Sequence, residues 1–199
     1  MKSNICIIKK GGLGLENILN EVEKVAVYNG LEKKEALRLR LLAEELVGML
    51  PELVRNFDGC FWLENSDKKY ELHTELVVDG LSAEKKQAMI EMSAEKKNAA
   101  VSGFMSKIRD IAETMLLSSQ DPGLNAYYTA GYMYGYAVAD ISYSYAWTLQ
   151  HYISQQQGTM IEGTAEWDQL EKSIVAKLAD DVIVGVRGRK VEIIIKKEF

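Results

Sequence analysis

Apolar residues recur every three or four positions along much of the chain and every second position in a few short runs, so helices and half-covered strands are both expected. Leu15, Ile18, Leu19, Val22, Val25 and Ala26 share one face of a helix over residues 15–28, which Gly30 ends. A second helix over 31–54 is rich in strong helix formers, and Pro51 kinks it or marks its last turn. Residues 4–9 read as a short strand before them. Residues 61–64 and 70–78 form a hairpin around Asn65-Ser66-Asp67-Lys68-Lys69. In its second strand Tyr70, Leu72, Thr74, Leu76 and Val78 alternate with Glu71, His73, Glu75 and Val77, the pattern of a sheet covered on one face only. The helices are therefore expected on one side.

After Asp79 the helical period returns. Ser82-Ala83-Glu84-Lys85 supplies a cap and first turn, a break falls near Ser93, and a longer helix spans about 94–117 before Gln120-Asp121-Pro122-Gly123 stops it. In residues 124–157 tyrosines are interleaved with Gly131, Gly135, Ala130, Ala137 and Ala139. Tyr128, Tyr132 and Tyr136 are spaced by four, so a helix would carry them as one stripe. Residues 155–164 read as a polar loop. A last helix carrying Trp167, Leu170, Ile174 and Leu178 leads through Ala179-Asp180-Asp181 into strands over 182–186 and 190–196, which turn at Arg187-Gly188-Arg189.

At 199 residues the chain is long enough for one well-buried domain, and one domain, 1–199, is expected. The formal charge of −5, with basic residues scattered among acids, argues against a nucleic-acid groove. Cys6 and Cys60 form no disulfide framework, and the apolar run Ile5–Ile8 is too short for a signal-peptide core, which points to a cytoplasmic protein. The stretch poorest in charge, 118–162, holds Asp121 and Asp140 and is rich in Tyr, Ser and Gln. It does not read as a bilayer span, and no membrane attachment is expected.

The order strand, helix, helix, hairpin, helices, helix, hairpin resembles the ATP-binding domain of the GHKL superfamily of histidine kinases, anti-sigma-factor kinases and gyrase-type ATPases. Two segments carry the resemblance. Arg38-Leu39-Arg40-Leu41-Leu42-Ala43-Glu44-Glu45-Leu46-Val47-Gly48-Met49 is similar to the helix bearing the family's N box, and residues 173–197 to the closing helix and hairpin of the anti-sigma kinases. The resemblance implies an α+β fold, a two-layer α/β sandwich whose mixed sheet is covered by helices on one face, with 120–165 as a tyrosine-rich, mainly helical insertion or remodelled lid. It also implies ATP or ADP as the ligand.

The family's N-box helix presents a catalytic Glu and, four residues on, an Asn that holds magnesium. Glu45 matches the Glu, but Met49 stands at the ligand position and lacks the hard oxygen that Mg²⁺ requires, so Mg²⁺ is not expected. A register shifted by one uses Glu44 and places Gly48 there. Asp79-Gly80 occupies the place of the adenine-reading Asp and its glycine turn, although Asp79-Gly80-Leu81-Ser82-Ala83 does not complete the family's Asp-x-Gly-x-Gly, and Asp-Gly is also a common turn. Glu45 is thus the catalytic candidate, and Glu44, Asp79 and Gly80 are the nucleotide-binding candidates. Isolated Gly158 and Gly163 make no phosphate cradle. The alternative for Glu44 and Glu45 is a solvated helix face.

Gly11-Gly12-Leu13-Gly14-Leu15 looks like a phosphate loop opening a helix, but it precedes the N-box-like helix and lacks a following Lys-Ser/Thr, so it reads as a strand-to-helix connection. His73, His151, Cys6 and Cys60 have no metal-ligand spacing, and no metal site is expected from them. The small residues around Asn98 and Ser102-Gly103 favour close helix packing. The Tyr128, Tyr132 and Tyr136 stripe reads equally as a partner or homodimer interface and as core. Three functions stay open: a regulatory or interaction module on a degenerate GHKL domain, an active ATP-binding GHKL protein using Glu45 and Asp79, and an unrelated α+β interaction domain.

Overall fold

The computed structural model describes residues 1–9, 12–53, 57–78, 108, 111–112, 115–116, 145–156 and 173–199. Asp79, Gly80, Tyr128, Tyr132 and Tyr136, and most of the segment expected at 120–165, lie outside the described residues.

The fold is α+β, and the described residues form helices and one six-stranded sheet. Its strands are β1 (Cys6–Ile8), β2 (Phe57–Ser66), β3 (Lys69–Val78), β4 (Tyr145–Thr148), β5 (Asp181–Arg187) and β6 (Lys190–Glu198), in the spatial order β1-β2-β3-β6-β5-β4. All five pairings are antiparallel, which corrects the mixed sheet expected from the resemblance. Two tight hairpins fix the direction of β2 against β3 and of β5 against β6, and β6 meets β3 head to tail, so every neighbour alternates. The first turn is also tighter than expected. Only Asp67 and Lys68 separate β2 from β3, with Asp67 at φ 54°, and Glu64 pairs with Glu71. The strand β4 was not expected. Tyr145–Thr148, read as part of a mainly helical insertion, is a strand on the sheet edge, with Trp147 opposite Val184.

Helices α1 (Glu16–Tyr28) and α2 (Lys33–Leu53) are bounded by their own chemistry. Gly30, at φ 64°, and Leu31 close α1 by donating to Val27 O at 3.1 Å and Ala26 O at 3.0 Å, the paired bonds of a Schellman turn. Glu35 reaches back to accept from the Glu32 amide at 2.9 Å, one half of a capping box for α2. Pro51 sits in the last turn of α2. A helix α3 (Leu149–Gln156) follows β4, and α4 (Ile174–Leu178) is capped by Ser173, whose Oγ accepts from Ala176 N at 3.1 Å.

The core gathers one face of each element. Ile18, Val22 and Val25 of α1, and Leu39, Leu42, Ala43, Leu46 and Leu50 of α2, join Phe61, Leu63, Leu72, Leu76, Val184, Ile193 and Ile195 of the sheet. Ile108, Ile111, Ala112, Met115 and Leu116 are helical and buried in the same cluster, with the spacing expected for the helix over 94–117. The other face of the sheet carries cross-strand rows. Glu64, Glu71, Lys196 and Asp181 form one, and Trp62, His73, Ile194, Ile183 and Thr148 form the next.

Candidate functional site

Leu39, Leu42, Ala43, Leu46, Met49 and Leu50 make the buried stripe of α2. Glu45, three residues after Leu42 and four before Met49, falls on the edge of that stripe and is half-buried; among the described residues it has no hydrogen-bond or ion-pair partner. Met49 is only 7 % exposed and belongs to the core. The position where the N box needs an oxygen donor is thus occupied by a buried thioether, which does not fit Mg²⁺. Glu44 points elsewhere. Its Oε1 accepts from Arg40 Nε at 2.8 Å, and Arg40 also pairs with Glu23, so the guanidinium ties α1 to α2 and holds Glu44 in that bridge. Of the sequence-derived candidates, only Glu44 and Glu45 fall within the described residues, on adjacent positions of one helix.

The glycine-rich connection before α1 is committed to the turn. Gly12 N donates to Lys9 O at 2.9 Å, and the Asn17 and Ile18 amides are bonded to Gly14 O and Leu15 O at 3.2 and 3.1 Å. Gly14 holds φ 96° with its α-carbon against β1, where a β-carbon would lie 2.2 Å from Ile7 O. The Gly12, Leu15, Asn17 and Ile18 amides are therefore spent on closing the loop and the first helical turn rather than on an anion. On the solvent side of α1, Asn20, Glu23, Lys24, Val27 and Tyr28 line an open groove of about 640 Å³. Val27 and Tyr28 are 81 % and 78 % exposed.

A second constellation, on the face of the sheet away from the core, was not legible in linear spacing. His73 is nearly buried there, stacked on the Trp62 indole with ring centroids 4.9 Å apart and planes 6° from parallel. Its Nδ1 lies 3.3 Å from Glu192 Oε1 on β6 and its Nε2 lies 3.2 Å from Glu71 Oε2 on β3. Trp62 Nε1 donates to Glu64 Oε1 at 2.8 Å, while Lys2 Nζ, 3.1 Å from the same oxygen, sits over the indole ring. The indole N–H and Lys2 hold the Glu64 carboxyl below the usual carboxylate range. Lys196 and Lys190 pair with Glu71 and Glu75 at 3.2 and 2.8 Å. The usable sequence signal was the alternation Glu71-x-His73-x-Glu75 facing Trp62-x-Glu64 across a two-residue turn.

Among the described residues, no helix is long and apolar enough to cross a membrane. No family model, no curated protein and no solved structure matches this chain, so the site is defined by its own residues alone.

Proposed function

We propose that this protein is a cytoplasmic regulatory or interaction module on a degenerate GHKL ATPase-like fold, a two-layer sandwich in which nucleotide binding is weak or lost. The observation that supports the reading is Met49. At the magnesium-ligand position of an N-box-like helix stands a buried, apolar side chain, and the adjacent candidate Glu44 is engaged by Arg40. Glu45 alone retains the position of a general base, with no oxygen donor four residues on to hold a metal beside it. A module that no longer turns over nucleotide acts through its surface, and exposed Val27 and Tyr28 supply apolar surface outside the core for a protein partner.

The test is a thermal shift of the purified chain with ATP and ADP, with and without Mg²⁺, followed by calorimetry on any response. A ligand at a hundred times its Kd stabilises by about 2.7 kcal/mol. No shift, or a small one indifferent to Mg²⁺ and reduced by Asp79→Asn, is the expected result. A large Mg²⁺-dependent shift abolished by Glu45→Gln would overturn the reading in favour of an active ATP-binding protein. Sedimentation of wild type and of Tyr132→Ala/Tyr136→Ala then tests the homodimer: a change in oligomeric state with unchanged melting temperature assigns the tyrosine stripe to an interface.

A further inference from the structure

We propose that Glu64, Glu71 and His73 form a binding site for a first-row divalent cation of the zinc class on the face of the sheet away from the core. One ligand atom from each of the three, two carboxylate oxygens and an imidazole nitrogen, lie within 4.8 Å of one another. This mixed nitrogen and oxygen set suits zinc and its neighbours, whereas calcium and magnesium favour all-oxygen shells. The spacing also fits. A tetrahedral ion with bonds of about 2.0–2.1 Å has ligand-to-ligand edges of about 3.3 Å, and His73 Nε2 stands 3.2 Å from Glu71 Oε2. Glu64, on the neighbouring strand, offers the third atom, within 4.8 Å of the other two.

Each ligand already has a partner that orients it. Glu192 faces His73 Nδ1 at 3.3 Å, so a proton on that nitrogen leaves Nε2 with its lone pair toward the cluster, the carboxylate–histidine–metal relay. Trp62 packs flat on the imidazole and donates to Glu64, fixing the ring and one carboxylate together. All of these groups stand on long paired strands rather than on loops, which limits their drift.

Electrostatics favour a cation at this point. Glu64 and Glu71 are directly opposed across β2 and β3, a like-charge pairing that works against the sheet. Lys2 and Lys196 offset it, but their side chains are 50 % and 41 % exposed, and such surface ion pairs are weak. A divalent ion would displace them and neutralise both carboxylates at once. One coordination position or more would face solvent, because Glu64 and Glu71 are themselves 43 % and 35 % exposed.

The experiment titrates the chelator-treated full chain with ZnCl₂ by calorimetry, and with CoCl₂ while recording its visible ligand-field absorption. One ion per chain is expected, with a cobalt spectrum of a nitrogen- and oxygen-ligated site. His73→Ala and Glu71→Gln should each weaken zinc binding by about 100-fold or more, and Glu192→Gln by about 10- to 100-fold with an altered cobalt spectrum. Lys2→Ala should tighten binding, and His151→Ala and Cys60→Ser should leave it unchanged. Glu64→Gln, at an exposed position, tests the site without risk to the fold. Absence of saturable binding to the wild type, or binding retained in His73→Ala but lost in Cys60→Ser, would overturn the assignment.

Discussion

Thr74 sits in the middle of β3 with its side chain in the core, opposite Phe61 on β2 and Ile193 on β6, and it is fully buried. Among the described residues its hydroxyl has no hydrogen-bond partner. Leaving a hydroxyl dry and unpaired costs about 1–3 kcal/mol on the scale of protein substitutions. Thr74→Val replaces that oxygen with a methyl of similar size and keeps the β-branched shape that a strand favours. The variant is therefore expected to be more stable by about 1–2 kcal/mol, which for a chain of this size raises Tm by roughly 2–8 °C. Urea unfolding should show a higher midpoint at unchanged slope. Thr74→Ser, which keeps the hydroxyl and deletes the methyl, should move the other way by about 1 kcal/mol. A Thr74→Val protein that is equal to or weaker than wild type would refute the reasoning, because it would mean that the hydroxyl is satisfied in the folded state.

Gly14→Ala should destabilise by about 2–5 kcal/mol, since it forces a β-carbon onto Ile7 O at a positive φ. Gly30→Ala, where the added carbon meets open space, should cost only about 1 kcal/mol, and chemical denaturation of the pair checks the contrast. Burial, and then the nearby charges of Glu21 and Glu75, push the thiols of Cys6 and Cys60 above the ordinary range. Both should react slowly with a disulfide reagent at pH 7, and burst-phase labelling there would contradict this. Because the folded state holds these protons more tightly than the unfolded chain, their contribution to stability is complete below the ordinary thiol range and declines as pH rises through it.

How the sequence misled at the sheet is instructive. The alternation from Tyr70 to Leu76 located β3, and the run after Asp181 located β5 and β6, because one covered face leaves a period of two in the residues themselves. Strand direction leaves no such trace, so the antiparallel meeting of β3 and β6 was not recoverable from periodicity. Tyr145, Trp147 and their small neighbours Ala146 and Thr148 do alternate, but the four-residue spacing of the preceding tyrosines set a helical period over the whole segment. The His73 cluster was hidden by one residue. A five-residue loop over 65–69 would pair Glu64 with Tyr70 and turn the glutamate inward, whereas the two-residue turn pairs it with Glu71 on the outer face. On α2, strong helix formers located the helix, but which of its faces is buried was not read from the residues, and the structure places Met49 in the core.

The place of β6 in the sheet governs the order in which the molecule can assemble. β3 finds β2 across two residues, but its other edge waits for a partner that lies about 110–130 residues further along the chain, a closure that costs entropy before it returns any contact. During synthesis, β3 is thus a ten-residue strand with one row of amides and carbonyls unclaimed until residues 190–198 emerge. The nascent chain's exposure to chaperones, and to strand addition by other chains, is set at that seam, whereas among the described residues the edges of the finished sheet belong to β1 and β4, which are only three and four residues long.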